Sequence, residues 1–112
     1  MRARTQVLLW GAQRASAFVL ALCVIVHLIT VIYAVRNGLS AAEILGRTRG
    51  NPLWLAFYLL FVAAVAVHAP IGLRTILAES TAWRGRSLEL SMLLIALMLA
   101  AWGARAVWAV YA

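Results

Sequence analysis

Three apolar stretches, at about 15–35, 53–74 and 88–111, decide what this chain can become. Each is long enough to cross the hydrocarbon of a bilayer as a helix, which takes about 20 apolar residues. The chain is only 112 residues long, 66% of it hydrophobic, with three acidic residues. A soluble domain of this size has too little interior to hide so much apolar surface. The sequence therefore predicts an all-α integral membrane protein: one domain of three transmembrane helices in an up-down-up bundle. A secretory signal is the competing reading of the first stretch, with Arg2 and Arg4 ahead of it. The stretch is longer than a signal core and leads to no small-residue cleavage site.

All ten basic residues are arginine. Arg2, Arg4 and Arg14 precede the first span, and Arg74, Arg84 and Arg86 lie around the second connection. The first connection holds Arg36, Arg47 and Arg49. Six against three predicts a cytoplasmic N-terminus. Anionic lipid accounts for the positive charge, so a nucleic-acid role is not required. Nothing at the N-terminus resembles an organelle transit peptide, which points to a bacterial or archaeal cytoplasmic membrane. Cys23, the single cysteine, lies inside the first span and is expected to serve as a small packing residue.

Local signals divide the connections. Asn37-Gly38 ends the first helix. Ser40 and Glu43 have capping-box spacing, so a short helix to about Leu45 is expected. Asn51-Pro52 opens the second span, with Trp54 and Tyr58 as interfacial rings. Trp102, Arg105, Trp108 and Tyr111 form a belt at the end of the third, where Arg105 snorkels to the headgroups.

The spans contain two histidines, His27 and His68, and no mid-span Asp, Glu or Lys. That composition counts against ion-coupled transport, carboxylate-based hydrolysis and thiolate metal sites. Three uses remain for the imidazoles: axial ligation of haem iron, proton conduction, or hydrogen bonding between helices. At 100° per residue, Ala64, Gly72, Thr75 and Glu79 share a face with His68. Small residues one turn above and below a ligand leave room for a flat macrocycle, and they equally allow close helix packing. Pro70 frees the carbonyl of Ala66 and can aim the imidazole. The face of His27 carries Ser16, Cys23 and Thr30.

The segment from His68 has glycine four residues on (Gly72), arginine two later (Arg74) and an acid five beyond (Glu79). This resembles the signature of the cytochrome b membrane subunits of succinate dehydrogenase and fumarate reductase. Gln13-Arg14-Ala15-Ser16-Ala17 is similar to the same family's His-Arg-x-Ser/Thr-Gly motif at the start of its first span. Gln13 stands in place of histidine, Ala17 in place of glycine, and Trp10 where the family's quinone-contacting serine falls.

The resemblance implies that His68 is the axial ligand of haem b. It implies that Arg14, with Ser16 in the same motif, lies near quinone and the haem propionates, and that Arg74 meets propionates or the iron–sulfur subunit. His27 matches a histidine of members with two haems. The implied function is a haem b-binding anchor subunit of a succinate:quinone oxidoreductase-type complex. Its partners would be iron–sulfur and flavoprotein subunits, quinone, and a second small membrane subunit or a second copy of this chain. The alternatives are a non-redox structural or assembly subunit, or the anchor of another quinone-linked flavoprotein reductase. At 1.5 Å per residue the histidines differ in depth by about 9 Å. One iron holds two imidazole nitrogens only about 4 Å apart. His68 is therefore expected to share iron with a partner's histidine.

Overall fold

Four helices carry nearly all of the chain in a computed structural model that describes residues 2–112. They are α1 (Ala3–Arg36), α2 (Ala41–Thr48), α3 (Pro52–Ser80) and α4 (Arg86–Tyr111). The described residues include no strand. Helix is what lipid demands, because backbone N–H and C=O groups find no water there and must pair within their own segment. α1, α3 and α4 are each long and apolar enough to span a membrane.

Two helices outrun the expected spans. α1 starts at Ala3 rather than near residue 15, and its 34 residues reach about 51 Å, well beyond a hydrocarbon core of about 30 Å. Residues 3–12 contain no proline to stop the helix, and their one glycine is tolerated inside it. α3 continues past residue 74 to Ser80, through Thr75, Ile76, Leu77 and Ala78, which do not break a helix. The extra turns carry the polar residues Arg4, Thr5 and Gln6 of α1 and Thr75, Glu79 and Ser80 of α3.

The ends are closed as the local signals require. Gly38 adopts φ +96°, and Leu39 N–H donates to Ala34 C=O at 2.9 Å while Gly38 N–H donates to Val35 C=O at 3.2 Å. That pair of bonds is a Schellman stop, which needs a residue free to take positive φ. The Ser40 hydroxyl accepts from Glu43 N–H at 3.1 Å and starts α2. α2 ends at Thr48, about one turn later than expected, and an ion pair between Glu43 and Arg47 bridges successive turns. Asn51 caps α3 by accepting from Leu53 N–H at 3.0 Å.

α3 is the central helix, packed against α1 on one side and α4 on the other, with little contact between the outer two. The α1–α3 seam is made of small side chains, whereas α4 buries Leu88, Met92 and Val107. Ser16, Cys23 and Ala34 are buried on α1, and Ala64, Ala66 and Pro70 on α3. Large residues such as Val7, Phe18, Leu53 and Leu94 face outward. Lipid is as apolar as leucine, so helices here associate by close approach, which small residues permit. Cys23 has the packing role expected of it.

α3 and α4 approach closely at Gly103. A Cβ added to Gly103 would lie 2.6 Å from Val62 Cγ1. At the far end, α2 covers the terminus of α4. Thr48 donates its hydroxyl to Val110 C=O at 2.8 Å, and Gly50 N–H donates to Tyr111 C=O at 2.9 Å. Two of the four carbonyls that any helix leaves unpaired at its C-terminus are thereby satisfied.

Candidate functional site

His68 lies half-buried on α3, facing the buried Ser16 of α1. Its Nδ1 is 3.4 Å from Ser16 Oγ, at the long end for a hydrogen bond. The Ser16 hydroxyl also donates back to Gln13 C=O at 3.1 Å, the usual habit of a serine inside a helix. No described residue hydrogen-bonds Nε2 of His68. One ring nitrogen is thus held and the other keeps its coordinating capacity.

Gly72, one turn along α3, meets the side chain of Gln13: a Cβ there would stand 3.1 Å from Gln13 Nε2. The small size of Gly72 lets the Gln13 side chain of α1 lie against α3. Gln13 Oε1 is buried without a hydrogen-bond partner among the described residues. Beside it a cavity of about 720 Å³ opens between the N-terminal part of α1 and the C-terminal part of α3. Gln6, Trp10, Gln13, Thr75 and Glu79 line its polar side.

Arg14 is exposed and stands over the Trp10 ring, its guanidinium carbon 5.2 Å from the ring centre. Two residues from Ser16, it points about 160° away around α1. Because α1 is continuous from Ala3, Arg14 and His27 also lie on different faces and do not serve one site within this chain. Arg74 lines the cavity and also reaches α4, where its Nε donates to Glu89 at 2.7 Å.

His27 belongs to a different layer. Its ring meets Phe61 and Tyr58 edge-on, with centroids 5.6 and 6.0 Å apart. With Val62, Trp102 and Gly103 these residues border an apolar groove of about 340 Å³. Ser16, which contacts His68, is 11 positions from His27, and Phe61 is seven from His68. The two imidazoles are therefore separated by roughly 10–16 Å along the bundle.

A model of the succinate dehydrogenase/fumarate reductase transmembrane subunit family matches residues 1–105. The chain belongs to that family. No curated protein and no solved structure gives a significant match. Membership makes the chain a multi-pass membrane subunit of an oxidoreductase complex, assembled with other subunits.

Ser16 is expected on the face of His27 by helical spacing. That assignment is geometrically right, since residues 11 apart share a face, but Ser16 meets His68 across the helix interface. The roles of Gln13, Glu89 and Gly103 were not foreseen. A glycine within an apolar span is a weak signal of close packing and carries no information about which helix it meets.

The residues fit one axial position of a haem b. His68 offers an imidazole nitrogen free of competing hydrogen bonds, and its other nitrogen has a hydroxyl to orient it. No group of three or more His, Cys, Asp or Glu side chains among the described residues forms a site for a bare metal ion.

Proposed function

We propose that this subunit is a haem b-binding membrane anchor, holding the cofactor through Nε2 of His68. It docks the iron–sulfur and flavoprotein arm of a succinate:quinone oxidoreductase-type complex and supports electron transfer to quinone. The observation that carries this reading is the pairing of His68 with Ser16, which leaves Nε2 unclaimed. Haem b, when bound, supplies a one-electron centre within the low-dielectric part of the membrane.

The chain's own residues do the rest. His68 ligates, and the small-residue seam of α1 and α3 fixes the backbone from which it projects. His27 lies too far along the bundle to share an iron with His68, so a second protein ligand to the haem would have to be a histidine of a partner subunit or second copy. The edge-on contacts of His27 with Phe61 and Tyr58 favour a packing role over an outer haem. The cavity beside Gln13 has the size and mixed polarity for a quinone head group. Arg14, on the opposite face of α1, reaches quinone or propionates only where a partner helix covers that side.

The end of the bundle carrying Arg2, Arg4, Arg14, Arg74, Arg84 and Arg86 is assigned to the cytoplasm. The short connection between α3 and α4 is ordered there. Trp83 Nε1 donates to Ser87 Oγ at 2.8 Å and Arg84 donates to Thr81 C=O at 2.7 Å. This turn, with Arg84 and Arg86 exposed, is the docking surface for the soluble arm.

The test is a reduced-minus-oxidised spectrum of membranes holding the assembled complex. The parent shows low-spin haem b bands, and His68→Leu loses them while the subunit still inserts. Unchanged bands in the variant would refute ligation by His68. A parent complex without haem bands would leave a non-redox anchor.

A further inference from the structure

A hydroxyl has one proton to donate and two lone pairs to offer. The shorter contact of Ser16 Oγ, 3.1 Å, is to the carbonyl of Gln13 in its own helix, so that is where its proton goes. Ser16 then turns a lone pair toward His68 Nδ1, 3.4 Å away. A lone pair facing a nitrogen lone pair is repulsive; the contact is attractive only if Nδ1 carries the ring proton. A neutral imidazole has a single N–H, so Nε2 is left as the unprotonated nitrogen. Ser16 is 7% exposed, out of reach of competing water, and no other described residue hydrogen-bonds the ring.

We infer that Ser16 is the positioning residue of this site: back-bonded to Gln13, it accepts Nδ1–H of His68, sets the ring tautomer and orients Nε2 as the ligand atom. This rests on the reading of His68 as a haem ligand given above. An acceptor on Nδ1–H makes the imidazole a stronger electron donor. A more basic ligand favours ferric over ferrous iron and holds the midpoint potential down. The small size of Ser16 has a second use, in the α1–α3 seam, but filling space does not act on a potential.

The experiment measures haem midpoint potential and low-temperature EPR of the assembled complex in parent, Ser16→Ala and Ser16→Thr. Ser16→Ala removes the acceptor at nearly constant volume. Its potential should move to more positive values, with a change in the low-spin g-values as the ring loses its fixed orientation. Ser16→Thr keeps the hydroxyl and should return both readouts to those of the parent. If Ser16→Ala fails to assemble, Ser16→Cys replaces it; the thiol is a weaker acceptor, and a smaller positive shift is expected. An unchanged potential in the variant lacking or weakening the acceptor, with haem present, overturns the inference and leaves the haem reading standing. Absence of haem from the parent overturns both.

Discussion

Gly103 offers the sharpest test of how the bundle is held. A methyl group built there would lie 2.6, 2.9 and 3.3 Å from Cγ1, Cγ2 and Cβ of Val62. Carbon atoms prefer about 3.5–4.0 Å, so α4 must retreat from α3 by about 1 Å or Val62 must leave its rotamer. Overpacking of this kind costs about 1–3 kcal/mol. Alanine also improves on glycine inside a helix by about 0.8–1.0 kcal/mol, so the observed change in Gly103→Ala alone understates the clash.

A double-mutant cycle with Val62→Ala separates the two effects, because the helix-propensity gain appears in both backgrounds. The assay is reversible unfolding of the purified chain in mixed micelles. Gly103→Ala should be about 1–3 kcal/mol less favourable with Val62 present than with Val62→Ala. Gly11, which has nothing within 4 Å of its added Cβ, is the control; Gly11→Ala should be neutral or stabilising. Coupling below about 0.5 kcal/mol, the usual scatter for independent sites, would refute the close approach of α3 and α4.

Thr48→Val removes the hydroxyl that bonds the Val110 carbonyl and should cost about 1 kcal/mol in the same unfolding assay, with faster hydrogen exchange at the end of α4. His27→Leu should leave the haem-to-protein ratio of the complex unchanged; loss of one of two haems would instead establish an outer site. Arg14→Leu should lower quinone reduction more than succinate oxidation by an artificial acceptor, and an equal fall in both would indicate failed assembly.

Much of this protein is legible in one dimension because lipid imposes one-dimensional rules. A stretch of apolar residues must become a helix when no water is available to its backbone, so the three spans and their all-α class follow from run length alone. Asn37-Gly38, Ser40 with Glu43, and Asn51-Pro52 act through bonds a few residues long, which is why the stops and starts fell close to where they were expected. The outer limits of α1 and α3 were less legible: polarity marks where lipid ends, whereas a helix ends only at a breaker or a cap.

What lies across an interface belongs to tertiary structure. His68 and Glu79 could be placed on one face of a helix by counting, but which helix that face meets depends on small residues that look alike in every span. Folding put Ser16 against His68, spent the space at Gly72 on Gln13, and paired Arg74 with Glu89 of α4. The separation of the two histidines in depth was already countable along the spans, but the packing made Phe61 the residue level with His27. Periodicity fixes angle and rise along a single helix; the register between two helices is set by which side chains interlock, and that is a property of the packed pair.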